Sequence, residues 1–201
     1  AGVIVYAALT LVQPSEWRAL VKFRMAEAAI AAACAVSVVL FGILPGVIIA
    51  IALSIAEFMA RLARPHDGVL GFVPNMAGMH DIDDYTATTV PGLVVFRYDA
   101  PLFFMNAYDF FYKVNDAVAP DTDVLILNME ANVELDTTAL NVLQELHDQL
   151  ESDGVALWLA RVKNDVLIPM QDHGVAAVIG EDNMYPTLPT AVEAYRKRFI
   201  S

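Results

Sequence analysis

From residue 28 to residue 56 the chain carries no charged side chain, twenty-nine residues reading AAIAAACAVSVVLFGILPGVIIAIALSIA. As one straight helix this run would extend about 43 Å, longer than the roughly 30 Å hydrocarbon core of a bilayer. Pro45 and Gly46 fall within it, where the proline removes a helix donor and the glycine loosens the backbone. The run is therefore predicted to form two apolar helices that meet near Leu44-Pro45-Gly46, each short for a full span. Arg18, Lys22 and Arg24 precede the first limb, and Arg61 and Arg64 follow the second. By the positive-inside rule both ends belong on the cytoplasmic side, which is the topology of a hairpin. Glu27 and Glu57 are close enough to the two ends to reach the interface. The competing reading is a soluble protein with a very apolar helical pair.

Charge divides the chain at about the same place. Up to residue 64 there are five basic and three acidic residues, and beyond it seven basic against twenty-one acidic. An acidic C-terminal part repels phosphate backbones, and its basic residues are scattered apart from Arg196, Lys197 and Arg198, so nucleic-acid binding is not expected. The sequence starts at Ala1, inside the apolar run AGVIVYAALTLV and without the basic region or cleavage site of a signal peptide, and reads as a fragment whose natural N-terminus lies upstream. Its single cysteine, Cys34, cannot form an internal disulfide, which is compatible with a reducing compartment.

After the apolar run comes PHDGVLGFVPNMAGMHDIDDYTATTVPG, rich in Gly, Pro, Asp and Thr and without sustained periodicity, which reads as a linker. Strand and helix signals then alternate. GLVVFRYD and PLFFMN read as two short strands turning about Asp99-Ala100-Pro101, and AYDFFYKVNDAV has helical spacing. DVLILNM is a continuous apolar run of the kind found in a central strand. In TTALNVLQELHDQLESDG, Leu140, Leu143, Leu146 and Leu150 make a helical stripe, and Gly154 follows it as a C-cap signal. VALWLAR reads as a strand, NDVLIPMQDHG as a short helix interrupted by Pro169, VAAVI as an edge strand and LPTAVEAYRKRF as a closing amphipathic helix. Alternation of this kind implies a sheet covered by helices, an α/β domain.

The apolar hairpin ending in ALSIAEFMARLARPHDGVLG, the segment PGLVVFRYDAPLFFMNA and the strand-loop-helix VLILNMEANVELDTTALNVL together resemble the C-terminal end of a SulP-family anion permease. The last two pieces resemble a STAS domain, the module shared with bacterial anti-sigma-factor antagonists. The resemblance covers essentially the whole chain. It implies an apolar hairpin closing a membrane domain, over residues 1–64, then a linker over 65–91, and over 92–201 a STAS-like domain with a mixed β-sheet covered by helices. It implies a multi-pass protein of the cell membrane with its STAS domain in the cytoplasm, where that domain serves regulation, folding and contacts within a homodimer. The partners implied are the lipid bilayer, the upstream transmembrane domain of the same protein and an inorganic anion, with sulfate foremost. The family's substrate-binding segments match nothing here, so no substrate-binding residue is expected in this chain. Residues 1–12 would be the tail of an earlier membrane segment.

The same resemblance singles out Asp136, Thr137 and Thr138. In the signalling relatives a D-S-[ST]-G pattern is phosphorylated by a partner kinase, and Thr138 stands at the acceptor position. Free N–H groups and the positive end of a helix dipole favour an anion there. Against this, Ala139 stands where the pattern has Gly, and Glu130, Glu134 and Asp136 would repel a phosphate. The plainer reading is that Asp136 or Thr137 caps the helix, contributing about 1 kcal/mol. A membrane-tethered STAS module switched at Thr138 is the alternative function.

Other motifs point to no chemistry. HDIDD, residues 80–84, offers one imidazole and three carboxylates, but it lacks the positions and glycine of a calcium loop and reads as a solvated acidic linker. His66, His147 and His173 lack a sequence-local partner, and Arg97 could pair with Asp99 or another carboxylate. G-x-S-x-G, H-E-x-x-H and Walker A motifs are absent, so neither catalytic residues nor cofactors are expected. Phe103, Phe104, Phe110, Phe111 and Tyr112 are spaced across a strand and a helix as core residues would be, although part of that surface could meet a second subunit or the membrane part.

Overall fold

The computed structural model of the chain describes residues 21–22 and 25–200, in two compact units divided after Arg61. The expected membrane tail over residues 1–12 and the basic residues Arg18 and Arg24 lie outside the described residues.

The first unit is a helical hairpin. Helix α1 spans Met25–Phe41 and α2 spans Ile43–Ala63. The break falls at Gly42, whose φ of 92° takes the chain out of the helix, rather than at the expected Leu44-Pro45-Gly46. Pro45 instead lies in the first turn of α2, where a missing N–H costs nothing. Gly46 is buried, and a Cβ there would sit 2.4 Å from the side chain of Val38. Its role is thus to let the two helices approach closely, not to loosen one of them. Among the described residues α2 alone is long and apolar enough to cross a membrane, while the apolar α1 is shorter. Arg61 on α2 pairs with Glu57 one turn before it and, at 3.4 Å, with Glu27 on α1, so that the ion pair bridges the open end of the hairpin.

The second unit is built on a six-stranded mixed sheet. Its strands are β1 (Asp67–Phe72), β2 (Met79–Asp81), β3 (Leu93–Tyr98), β4 (Val124–Asn128), β5 (Ala156–Ala160) and β6 (Met184–Tyr185), in the order β2-β1-β3-β4-β5-β6. β1 is antiparallel to both its neighbours, and β3 through β6 run parallel. The helices are α3 (Ala107–Ala117), α4 (Thr137–Ser152), α5 (Asn164–His173), α6 (Val175–Ile179) and α7 (Leu188–Phe199), with a 3-10 turn at Glu181–Asn183. Period-2 alternation sorts the strand residues between two cores. Phe96, Leu125, Leu127, Leu157 and Leu159 pack with the buried faces of α3, α4, α5 and α6. Val95, Val124, Ile126 and Trp158 pack with Ala191, Val192 and Tyr195 of α7. Because both faces are covered, β4 is buried at every residue, as its unbroken apolar run predicts.

Three segments differ from the sequence reading. PLFFMN is not a strand: Leu102 makes a single parallel bridge to Leu135, and the chain then turns, with Phe103 N donating to Asn106 Oδ1 at 2.9 Å and the Phe103 carbonyl accepting from Ala107 N. VAAVI is helix α6, set off by Gly174 and Gly180 at φ 91° and 87° and burying Val175, Ala176 and Ile179. The segment read as a linker supplies β1 and β2, which extend the sheet beyond β3.

Candidate functional site

The loop from β4 to α4 is held on both sides before the helix begins. Met129 N donates to the Ala160 carbonyl at 2.8 Å, and buried Asn132 donates from Nδ2 to the Ala100 carbonyl at 2.6 Å. Leu102 N donates to the Glu134 carbonyl and Asp136 N to the Leu102 carbonyl, which ties the loop to the turn before α3. Asp136 then takes extended backbone, with φ −87° and ψ 174°, as the N-cap of α4. One carboxylate oxygen accepts from Ala139 N at 2.8 Å and the other from Phe104 N at 2.7 Å. The cap is therefore Asp136 and not Thr137, and it does a second job in fixing the turn before α3.

Thr137 is exposed and Thr138 half-buried, and among the described residues neither hydroxyl has a hydrogen-bond partner. Ala139 is buried, with its N–H taken by Asp136, so the position where the signalling pattern has Gly is part of the helix packing. Of the three acids, Glu130 is paired with Arg161 at 3.1 Å, and Lys163 donates to the Glu130 carbonyl. Glu134 remains exposed. Chemically the site presents two hydroxyls at a helix N-terminus, Thr137 exposed and Thr138 half-buried, that can accept modification.

The aromatic set is split rather than uniformly core. Phe110 is buried edge-on to Tyr98 and Phe96, with centroids 5.4 and 6.5 Å away. Phe103 and Phe111 are partly covered, whereas Phe104 and Tyr112 are 63% and 64% exposed. Arg97 lies 3.0 Å from Asp99 and His147 3.4 Å from Asp148. His66 finds a partner from a distant segment, Asp81, at 3.2 Å.

Two groups were not legible from local patterns. Asn106, fully buried, donates from Nδ2 to the carbonyls of Leu62 and Pro101 while its Oδ1 receives Phe103 N. Lys113 pairs with Asp67 and, at 3.4 Å, with Asp109, which in turn accepts from the Tyr98 hydroxyl at 3.0 Å. Burial works against the Lys113 ammonium, but the bond to Asp67 and the charges of both carboxylates outweigh it and raise its pKa. Burial raises the Tyr98 phenol strongly, and the bond to Asp109 adds to the rise. The only sequence signal was a basic residue four after an acid on one helix, which does not identify Asp67 or Tyr98.

The STAS domain model matches residues 84–191. A probable sulfate transporter of Mycobacterium tuberculosis is 48% identical over 201 residues, covering 98% of this chain and 36% of the relative. Sulfate transporter 1.2 of Arabidopsis thaliana is 30% identical over 161 residues, covering 74% of this chain and 25% of its own length. The chain thus spans about a third or less of these relatives. Among solved structures, the murine Solute Carrier 26 family member A9 anion transporter in the inward-facing state aligns with a TM-score of 0.82 at 20% identity, over 90% of this chain and 30% of that one, a likeness of fold. A sulfate transporter family protein from Wolinella succinogenes aligns with a TM-score of 0.51 at 26% identity, over 60% of this chain and 98% of its own. Both curated relatives are described as sulfate transporters, the mycobacterial one as probable. The chain belongs to the STAS-domain family and is homologous, over nearly its whole length, to part of the SulP-type sulfate transporters.

Proposed function

We propose that this chain works as part of a secondary anion transporter of the SulP type, with sulfate as the first candidate substrate. The observation that carries this reading is the 48% identity to a probable sulfate transporter across 98% of the chain, hairpin included. In this reading residues 1–64 are final membrane segments, 65–91 the connection, which also lends β1 and β2 to the sheet, and 92–201 the STAS domain, which lies in the cytoplasm and serves regulation, folding and contacts in a homodimer. The lipid bilayer and an upstream transmembrane domain are the other partners. Substrate is bound by the upstream segments, so residues of this chain act by supporting the transport cycle rather than by touching the anion.

The test is uptake of radiolabelled sulfate by cells that lack their own sulfate uptake and express the complete parent gene. Saturable uptake is expected, with a severe loss on deletion of residues 92–201. If the complete protein sits in the membrane yet moves no sulfate, bicarbonate or dicarboxylate, the transporter reading fails.

A second reading, a membrane-tethered switch phosphorylated at Thr138, is favoured only by its half-buried, unpartnered hydroxyl at the start of α4. Mass spectrometry of the protein from cells, together with uptake by Thr138→Ala, decides it. An unmodified Thr138 with uptake unchanged in the variant removes the switch.

A further inference from the structure

We infer that His66, Asp81 and Asp84 form a binding site for a divalent first-row transition cation. Read as sequence, Asp81 belongs to a solvated acidic stretch, but in the fold it is only 3% exposed. His66, from the segment just before β1, lies against it, and Asp84 joins from the turn after β2. One ligand atom from each of the three lies within 4.8 Å of the others.

Asp81 is a buried carboxylate whose basic neighbour is the His66 imidazole. Its Oδ1 accepts from Asp83 N in its own turn, and its Oδ2 faces His66 Nε2 at 3.2 Å. Among the described residues no lysine or arginine reaches it. The half-buried Asp67, by contrast, has Lys113. Burying a carboxylate is costly, and a cation held between it and the His66 imidazole offsets that cost. The fold also makes room for the carboxylate, because a Cβ at Gly68 would lie 2.0 Å from Asp81 Oδ2. Any side chain at residue 68 would push Asp81 out of this position.

Donor chemistry narrows the ion. Metal-to-nitrogen and metal-to-oxygen distances of about 2.0–2.2 Å fit the separation of His66 Nε2 and Asp81 Oδ2, 3.2 Å. An ion bridging those two atoms subtends an angle of about 100°, within the range of tetrahedral and octahedral sites. Asp84, exposed and in a turn, supplies the third ligand, and water completes the shell. Calcium and magnesium favour all-oxygen sites, whereas an imidazole with two carboxylates suits zinc or manganese. His80 lies outside this group, with its Nε2 engaged with the Ala77 carbonyl at 3.1 Å and its ring packed on Tyr85. The ion would join the residue that leads into β1 to the turn that follows β2, and so act as a structural staple.

The test is calorimetric titration of Zn²⁺ into the purified, metal-stripped full chain in detergent. One ion per chain is expected. His66→Gln and Asp84→Asn should each weaken binding by about tenfold or more, while His80→Gln leaves it unchanged. Both key side chains are exposed, so these variants keep the fold, which circular dichroism checks; Asp81→Asn is the harsher variant and is not needed. The unmodified chain should also unfold at higher temperature with Zn²⁺, and the two ligand variants should not. Absence of saturable Zn²⁺ binding, or binding that survives unaltered in both His66→Gln and Asp84→Asn, overturns the site.

Discussion

Asp136 carries more structure than a cap normally does, since each of its carboxylate oxygens holds a backbone N–H from a different element, Ala139 in α4 and Phe104 before α3. Removing it frees a helix end and a turn together, so Asp136→Ala is expected to cost about 2 kcal/mol, while Thr138→Ala costs less than about 0.5 kcal/mol. Thermal unfolding of the two variants side by side checks this, and equal losses would mean that Thr138 is structural. The cluster of Tyr98, Lys113, Asp67 and Asp109 sets an alkaline limit. The pKa values of Tyr98 and Lys113 are both raised on folding. A raised group contributes stability that is fully present below its unfolded value, about 10 for both types, and that is lost as pH climbs toward the folded value. Stability should therefore hold to about pH 10 and fall above it, more gently in Tyr98→Phe, as read by unfolding midpoints across alkaline buffers.

At the level of elements, legibility tracked how far each pattern stands on its own. The stripe of Leu140, Leu143, Leu146 and Leu150 forms α4 because a four-turn amphipathic helix needs no distant information, and all four residues are buried. DVLILNM announces β4 for the same reason. By contrast, DGVLGF is short and glycine-bearing, and it is a strand only because β3 pairs with it from a later part of the chain. VAAVI has strand-forming valines, yet five residues between two positive-φ glycines close into a helical turn over the core. The site residues divide in the same way: the helix N-terminus at Asp136 was visible, whereas His66 beside Asp81 and Asn106 beneath Leu62 depend on tertiary placement. Leu143, fully buried beneath the sheet, gives the corresponding energetic test. Leu143→Ala is expected to cost about 3–5 kcal/mol, and a much smaller drop in unfolding temperature would show that the core around it collapses to fill the space. In the hairpin, Gly46→Leu must separate the helices because the side chain of Val38 already occupies that space. A lower melting temperature than for Gly46→Ala is expected in detergent, and indifference to size would place the close approach elsewhere.

For the molecule as a whole, the proposed topology rests on one physical relation, that the start of α1 and the end of α2 lie on the same side of the membrane. The Glu27–Arg61 pair draws those ends together, and Gly42 marks the opposite turn. The charge pattern agrees, because Arg61 and Arg64 follow α2 and cytoplasmic anionic lipid attracts basic residues at a helix end. In the proposed topology the strongly acidic remainder, which has no such attraction, lies in the aqueous phase. This can be read with single cysteines introduced into the complete parent protein after its native cysteines, Cys34 among them, are replaced with alanine. Val21→Cys and Pro65→Cys leave the flanking charges intact, and both should react with an impermeant maleimide only when the cytoplasmic face is exposed. Phe41→Cys, next to the turn, should react only from the other face. Labelling of positions 21 and 65 from opposite faces would mean that α2 alone crosses the bilayer and α1 lies at its surface, a result that its shorter length makes a real competitor.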